Sequence, residues 1–363
     1  MQLGTYVATA VRNASQHDRA GTLTPFLLAF LADPQTQEPL RLGDAVRDSS
    51  GDIVEGTLYS TRTSWPIRRG IPRFVELHGL QDSVRSFGDQ WNYFNFTQFK
   101  RHWIEHTVKH TFGTTDAFRG KLVVDAGGGS GAQTLWMLEA GARHVIMLDL
   151  SHSVDDVVQR NLRPSGFQNY DVIQCSIDHP PLRPGSIDGI VICHNVIQHT
   201  PDVEKSAAAL FSLVGRGEFV FNCYEKNPTG LLRKLRWILY DGVFRRLIPN
   251  LPFAGRLAYA RTMGILRQVP LLGLLLEKAS FCSMGDVPTD SDTAWSRLKA
   301  RYRATVLNTF DLYGAHRFQH HLTNDELAAL VDRLQPDRTK VLNFHSYFGG
   351  HRPPGCALRV LKP

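Results

Sequence analysis

The segment Lys121–Gly131, KLVVDAGGGSG, has residue types and a spacing that could bind a nucleotide-like ligand. An apolar run ends in Asp125, and Gly127, Gly129 and Gly131 follow. This pattern predicts a buried parallel strand that turns sharply into a helix, with glycines where the backbone approaches a ligand closely. A dinucleotide site has the spacing G-x-G-x-x-G, which places a pyrophosphate on the helix N-terminus. The spacing here is G-x-G-x-G directly after an acid, so a different ligand is expected.

Features downstream follow in the order of one enzyme superfamily. A predicted second strand, His144–Leu148, ends in Asp149, and a third, Tyr170–Cys175, is followed by the segment 176–202. Together with the motif at Asp125–Gly131, these features resemble the class I S-adenosylmethionine (SAM)-dependent methyltransferases. The resemblance implies SAM as the cofactor, with its ribose hydroxyls on the acid at the end of the second strand, as in dinucleotide folds.

The adenine contact is the point where the chain departs from that superfamily. The residue after strand three is commonly an acid that binds the adenine amino group, but Ser176 occupies that position here. The side chains of Ser176 and Asp178 and the backbone of Ile177 are three alternatives for this contact. A tight strand-to-helix turn without any ligand is the alternative explanation for the glycines. The predicted cofactor-binding residues are Asp125, Gly127, Gly129, Gly131, Asp149, Ser176, Ile177 and Asn195.

Histidines are the candidates for a catalytic base. SAM carries an activated methyl group, so the enzyme mainly has to hold an acceptor in line with it, and an oxygen or carbon acceptor also needs a proton removed. His194 follows predicted strand four at the carboxyl edge of the sheet, and His199 lies a helical turn later. His316, His320 and His321 form a second pool. We predict His194, His199 and His320 as catalytic, although a lone histidine is more often structural.

The elements that must position these residues predict an α/β fold. We expect a Rossmann-like, doubly wound, mostly parallel seven-stranded sheet with a small N-terminal α+β block and a helical insertion after strand five. Phe219–Tyr224 is the predicted fifth strand, and Val341–Ser346 with Ala357–Leu361 is a final antiparallel hairpin. Thr323 and Glu326 form a predicted capping box. The predicted domains are 1–80 for the block, 81–225 with 304–363 for the SAM-binding domain, and 226–303 for the insertion.

The N-terminal block resembles the zinc-ribbon-like segments that accompany some methyltransferases. Its run Trp65–Pro72, WPIRRGIP, matches the end of those segments, but their C-P-x-C turn is replaced by Asp33-Pro34-Gln35-Thr36. Structural zinc sites need four good ligands, so we predict a block that binds no metal and packs against the catalytic domain. The five cysteines include no C-x-x-C pair, which argues against a zinc ribbon or a disulfide framework elsewhere.

Two segments could cover the site. The aromatic stretch Ser83–Phe96 resembles a segment that folds over SAM in related enzymes, or it joins the N-terminal block to the core. The insertion 226–303 has fourteen Lys and Arg against five Asp and Glu, in a chain whose net charge is +7. We predict that it is a lid over the acceptor. A solvated basic surface is the alternative, as is attraction of phosphate-bearing acceptors, nucleic acid or anionic lipid headgroups.

These features together predict a SAM-dependent methyltransferase that modifies a hydroxyl of a sugar or other secondary metabolite. An RNA methyltransferase, including one acting on tRNA, and a non-catalytic SAM-binding subunit are the alternatives. The predicted partner is a small-molecule acceptor rather than nucleic acid, and the sequence makes no prediction of the oligomeric state. Because 42% of the residues are hydrophobic and no apolar run approaches a membrane span, we expect a cytoplasmic protein without a transmembrane segment.

Overall fold

The computed structural model describes residues 23–75, 81–94, 96–225, 238–278, 282, 293–314, 318–334, 340–343 and 356–362. Parts of the predicted N-terminal block and insertion, and the candidate His316, therefore lie outside the described residues. One large sheet runs through the molecule. Its strands are β1 (Arg41–Arg47), β2 (Ile53–Tyr59), β3 (Ser64–Arg68), β4 (Ile71–Phe74), β5 (Leu122–Ala126), β6 (His144–Asp149), β7 (Tyr170–Cys175), β8 (Ile187–Cys193), β9 (Val214–Glu225), β10 (His321–Leu322), β11 (Lys340–Asn343) and β12 (Cys356–Lys362).

The helices lie between these strands and are frequently interrupted by short 3₁₀ or π turns. One such 3₁₀ turn, Ile197–His199, follows β8 and is part of the candidate site. The α-helices are α1 (Pro25–Leu28), α2 (Gln81–Tyr93), α3 (Lys100–Trp103), α4 (Lys109–Thr111), α5 (Ala132–Glu139), α6 (Val154–Val157), α7 (Val203–Leu213), α8 (Arg245–Leu247), α9 (Phe253–Leu266), α10 (Pro270–Lys278), α11 (Ala294–Leu312) and α12 (Asn324–Leu334). The predicted capping box begins α12, since Thr323 and Glu326 each accept the other's backbone N–H, at 3.1 and 2.9 Å.

The central strands confirm the predicted seven-stranded Rossmann-like sheet. Their order is β7-β6-β5-β8-β9-β12-β11, in which β7 to β9 are parallel and β12 runs antiparallel to both neighbours. Every residue of β5 and β6 is buried, as expected for parallel strands covered on both faces. Two apolar clusters fill these faces. The parallel arrangement brings the carboxyl ends of β5, β6 and β8 to one edge of the sheet.

The N-terminal block extends this sheet by main-chain pairing. Strands β1 to β4 form an antiparallel meander, and β4 pairs parallel with β7 through Arg73↔Gln174 and Phe74↔Cys175. The guanidinium of Arg73 also lies 2.8 Å from the carboxylate of Asp155. The sequence indicates packing between the two parts, but not that they share a sheet.

A buried polar cluster joins the block to the amino ends of the parallel strands. The backbone N–H and the hydroxyl of Thr24 donate to the Asp171 carboxylate at 2.7 and 2.8 Å. His144 Nε2 lies 2.7 Å from the same carboxylate, and Asp171 is fully buried. This cluster lies at the sheet edge opposite the glycine loop, so it stabilises the fold without taking part in the site.

Asp33 organises the turn at which the related zinc-ribbon-like segments carry cysteines. Its carboxylate accepts the backbone N–H groups of Gln35 and Thr36 at 2.9 and 3.0 Å, the indole N–H of Trp65 at 3.1 Å, and the hydroxyl of Thr63. Burial alone would raise the pKa of Asp33, but these hydrogen bonds hold it far below its usual value. A carboxylate therefore connects the turn to β3 by hydrogen bonds. Within the described residues, no group of three or more His, Cys, Asp or Glu is placed to hold a metal ion.

We expect Asp33→Ala to lower the free energy of unfolding by about 2–4 kcal/mol, because several buried donors lose their acceptor. The folded-state pKa of Asp33 is depressed, so its contribution is complete above the unfolded pKa of about 4 and is lost as the pH falls below it. Urea unfolding at pH 7 and pH 3 measures both effects. Asp33→Asn, which keeps one acceptor oxygen, is the matched control. Equal stability of wild type and Asp33→Ala, or stoichiometric zinc in the purified protein, would contradict this account.

The helices of the insertion form a packed unit beside the sheet. Helix α9 packs against α11, with Leu257 and Ala260 against Val306 and Phe310. Helix α11 continues to Leu312, so it runs through the boundary that the sequence suggests at residue 303. None of the helices in the described ranges is long and apolar enough to cross a membrane.

Candidate cofactor and acceptor site

The glycine loop between β5 and α5 leaves no room for side chains. Gly127 and Gly129 have φ angles of +83° and +54°, the left-handed region that favours glycine. A Cβ on Gly127 would lie 2.4 Å from Val196, and one on Gly129 would lie 2.9 Å from the Trp91 ring. Gly131, at φ +70°, is the N-cap residue of α5. The loop is thus a bare-backbone cradle at the carboxyl edge of the sheet, as the sequence predicts.

Two buried carboxylates support this cradle. Asp149 accepts the backbone N–H of Gly129 on Oδ2 and that of Ser151 on Oδ1, both at 2.8 Å. Asp125 accepts the hydroxyl of Thr134 at 2.6 Å. Burial raises the pKa of both carboxyls, that of Asp125 to about 6. Each carboxylate oxygen has two lone pairs, so Asp149 can accept further hydrogen bonds while it holds the loop.

The predicted adenine-side residues form a turn after β7. Ser176 Oγ accepts the backbone N–H of Asp178 at 3.2 Å, and the Asp178 carboxylate accepts the hydroxyl of Ser206 on α7. Ile177 is 6% exposed and belongs to the apolar core. The side chains of Ser176 and Asp178 thus each have a partner within the fold, and the three alternatives for the adenine contact stay open.

Asn195 holds the loop after β8 against β9. Its φ is +59°, a conformation that asparagine adopts more readily than most residues. Its backbone N–H donates to Asn222 Oδ1 at 2.7 Å, and Asn222 Nδ2 donates to Asn195 Oδ1 at 2.6 Å. Asn195 is exposed next to Val196, the residue closest to Gly127, so the loop forms the side of the cradle opposite Asp149.

The partners of the His199 ring determine its tautomer. Its Nδ1 lies 3.1 Å from the carbonyl oxygen of Phe318, which can only accept, so Nδ1 carries the proton. The acceptor nitrogen Nε2 then faces the Tyr224 hydroxyl at 3.4 Å. Burial lowers the pKa of His199 to about 4, which makes the ring neutral at pH 7. The arrangement is that of a base whose tautomer is set by a backbone carbonyl.

The other two predicted catalytic histidines have different surroundings. His194 has side-chain partners at both ring nitrogens, Gln133 Nε2 at 3.3 Å from Nδ1 and Thr107 Oγ1 at 3.2 Å from Nε2. His320 directs Nε2 to the carbonyl oxygen of Thr200 at 3.0 Å. His194 therefore connects the end of β8 to α5. His320 hydrogen-bonds the residue that follows the turn Ile197–His199 and so stabilises that turn.

Helix α2 lies along the site. The ring of Trp91 faces Gly129, and Phe87 stacks on Trp91 at 6.3 Å and contacts the His199 ring edge-on at 5.2 Å. Farther along the segment, Phe94 contacts Phe310 of α11 at 5.4 Å. The described aromatic contacts thus connect the glycine loop, His199 and the insertion. They favour the cover interpretation over attachment of the N-terminal block.

Three further residues, which are not among those predicted from the sequence, belong to the same region. The hydroxyl of Tyr224 lies 3.4 Å from Nε2 of His199. Gln90 of α2 donates a hydrogen bond to the Asp311 carboxylate of α11 at 2.7 Å. Gln90 is fully buried, and its Oε1 has no hydrogen-bond partner among the described residues. Burial also raises the pKa of Asp311. Gln90 lies in the aromatic stretch that resembles a SAM cover, which is the one signal that could have identified it.

Comparison with known proteins places the site in a recognised domain. A family model described as a methyltransferase domain matches residues 123–217, which include the glycine loop, Asp149 and His199. Ubiquinone biosynthesis O-methyltransferases of Thiobacillus denitrificans and Aromatoleum aromaticum are 34% and 35% identical over 103 and 102 residues. Each match covers 28% of this chain and 43% of the relative, so the chain spans less than half of their length.

Two solved methyltransferase structures are similar to parts of this chain at low sequence identity. A SAM-dependent methyltransferase from Mesorhizobium loti is 16% identical with a TM-score of 0.35, over 67% of this chain and 91% of that one. A putative SAM-dependent methyltransferase from Methanococcus maripaludis is 10% identical with a TM-score of 0.37, over 78% and 92%. Because both TM-scores are low, the assignment depends on the domain match.

Proposed function

Residues 123–217 are a methyltransferase domain of the class I SAM-dependent superfamily, and from this premise we propose that the whole protein methylates a hydroxyl of a small or medium acceptor. One observation supports the proposal most strongly. Helix α2 contacts both the glycine loop, through Trp91, and the neutral ring of His199, through Phe87. The cradle fits a cofactor, since Gly127 and Gly129 present backbone without side chains at the carboxyl edge of the parallel strands, where α/β sheets bind ligands. Bound SAM would supply a methyl group already activated on a sulfonium.

The cofactor would be held by the residues around the cradle. Asp149 is positioned by two backbone N–H groups and retains lone pairs for the ribose hydroxyls. The backbone of Gly127 and Gly129 would approach the methionine end, and the turn at Ser176 would border the adenine. Asp125 supports the loop through Thr134.

His199 is the proposed base for the acceptor. With Nδ1–H donated to Phe318, its Nε2 can accept a hydroxyl proton as the oxygen is alkylated. The Tyr224 hydroxyl lies 3.4 Å from this nitrogen, and the acceptor hydroxyl would take its place on the single Nε2 lone pair. Gln90 Oε1, which has no hydrogen-bond partner among the described residues, could accept a hydrogen bond from a second hydroxyl of the substrate. The O-methyltransferase name of the two relatives also supports an oxygen acceptor.

The cofactor half of the proposal is tested by calorimetry with SAM. We expect Asp149→Ala to raise the Kd for SAM at least about 100-fold, because two charge-assisted hydrogen bonds worth about 1.5–3 kcal/mol each are lost. Asp188→Ala is the matched control, since that exposed carboxylate lies near the amino end of β8 and pairs with Arg216. Unchanged affinity in Asp149→Ala would contradict the assignment of the ribose site.

The acceptor half is tested by methyl transfer from labelled SAM to a panel of phenolic and sugar hydroxyl acceptors. The proposal expects product with at least one hydroxyl class and a weak dependence on salt. Transfer to RNA that falls steeply with salt would instead support the RNA alternative, because phosphate contacts release counterions. SAM binding without transfer to either panel would support the non-catalytic subunit.

A further inference from the structure

Exposed apolar side chains are concentrated in the insertion. Of the sixteen large hydrophobic residues that are exposed in the described chain, thirteen lie between residues 238 and 298. The corner between α9 and α10 is the most apolar part, with Ile265, Val269, Leu271 and Leu275 between 51% and 79% exposed. Single exposed leucines are ordinary, but a run of this kind marks an interaction surface.

The packing of α9 and α11 places a second exposed segment at the same end. Gly264 faces Tyr302 and Val306, and Arg267 donates to Thr305 at 2.6 Å, whereas Leu257 packs near Phe310. The two helices are therefore antiparallel. Because Arg267 contacts Thr305, the first ten residues of α11 extend beyond the end of α9 by roughly 15 Å. They extend in the direction of the corner between α9 and α10. We name residues 265–275 and 295–303 the distal end of the insertion.

The distal end combines apolar and cationic side chains. Trp295 and Leu298 of α11 are 72% and 40% exposed. Four exposed cationic side chains lie in the same part of α11, and none of the four has an ion-pair partner among the described residues. They are Arg297, Lys299, Arg301 and Arg303.

Beneath this surface the helix pair is firmly anchored. Arg267 is buried against Thr305, and a Cβ on Gly273 would lie 2.2 Å from the carbonyl oxygen of Arg267, so α10 is held close to the end of α9. The leucines of α10 are thus presented on a rigid corner. An apolar projection with exposed cations at the same end of the insertion is complementary to the interface of an anionic bilayer, which offers acyl chains beneath phosphate headgroups.

We propose that the distal end docks the protein on the surface of an anionic lipid bilayer, with Leu271 and Leu275 entering the interface and Arg297, Lys299 and Arg301 contacting headgroup phosphates. Burial of the leucines in the bilayer interface would stabilise binding to any lipid, and the cations would favour negatively charged lipids. A second copy of the chain fits this surface less well, because a two-fold contact would bring like cations together. RNA would use the cations but not the leucines.

The experiment is flotation of the full chain with vesicles of phosphatidylcholine alone or with about 30% phosphatidylglycerol. We expect binding to the anionic vesicles and little to the neutral ones. Leu271→Ser with Leu275→Ser should weaken binding at least about 30-fold, and Arg297→Gln with Lys299→Gln and Arg301→Gln about 100-fold. The matched control, Arg62→Gln with Lys121→Gln and Arg143→Gln, removes three exposed cations elsewhere and should change binding less than about threefold.

Thermal unfolding and the Kd for SAM establish that each variant is folded. Absence of vesicle binding by the wild type would overturn the proposal, as would an equal loss in the control triple variant. Dissociation of a dimer by the leucine replacements, without vesicle binding, would assign the surface to a second copy. Tight binding to a single-stranded RNA that depends on the three cations but not on the leucines, and that displaces vesicles, would assign it to nucleic acid. None of these outcomes depends on methyl transfer, so failure here is distinguishable from failure of the proposed function.

Discussion

Replacing His199 with glutamine is expected to lower kcat by about 10²–10⁴-fold, the usual contribution of a positioned general base, while the Kd for SAM stays nearly unchanged. The reason is the geometry of the ring. Nδ1–H is committed to the carbonyl of Phe318, so Nε2 is the acceptor nitrogen and faces the Tyr224 hydroxyl. Glutamine keeps polarity and approximate size but has no basic nitrogen. Single-turnover methyl transfer with saturating SAM measures the chemical step.

The pH dependence provides a second readout of the same role. A base acts in its unprotonated form, and burial lowers the pKa of His199 to about 4. The value of kcat/KM should therefore be constant around neutral pH and fall as the pH decreases through about 4, and this fall should disappear in His199→Gln. His194→Gln and His320→Gln are the comparison variants. A large loss of kcat in either of them, with His199→Gln active, would transfer the role to that histidine.

Gly129→Val is expected to abolish SAM binding, with a rise in Kd of at least about 100-fold. Valine is strongly disfavoured at φ +54°, and its Cβ would lie 2.9 Å from the Trp91 ring. The change also fills the space that a ligand needs in order to approach the backbone. Calorimetry with SAM measures the loss.

Two companion variants separate backbone strain from filling of the cradle. Gly166→Val imposes a similar strain, at φ +79°, where nothing lies within 4 Å of the new Cβ, and it should bind SAM normally. Gly129→Val combined with Trp91→Ala removes the collision with the indole ring. If the double variant regained wild-type affinity, the collision with Trp91 would be the cause and the cradle would not contact the cofactor.

The sequence predicted the central sheet and the glycine cradle because both depend on local patterns. The apolar runs of β5 and β6 are continuous, each ends in or near an acid, and the glycines follow β5 at once. The surroundings of His199 could not be predicted in this way. Phe318 and Tyr224 lie 119 and 25 residues away in the chain, and the tautomer depends on a backbone carbonyl that no residue type signals.

Other contacts between residues far apart in the chain could not be predicted from the sequence for the same reason. Gln90 and Asp311 are 221 residues apart, and a single acid in a basic helix gives no indication of its partner. The end of the insertion was also hard to place, because charge composition changes near residue 303 while the helix continues to Leu312. The pairing of β4 with β7 joins only Arg73 to Gln174 and Phe74 to Cys175, and no local pattern in either strand indicates its partner.

That pairing determines which strand of the sheet faces solvent at this side. Strand β7 is almost wholly buried, so its unpaired edge would invite association with other chains if the N-terminal block were absent. With the block present, the outermost described strand is β1, which is irregular in register and carries Arg41, Asp44 and Arg47. Irregular and charged edges resist such pairing. We therefore expect the N-terminal block to protect the methyltransferase domain from aggregation, and shortened versions of the protein should retain it.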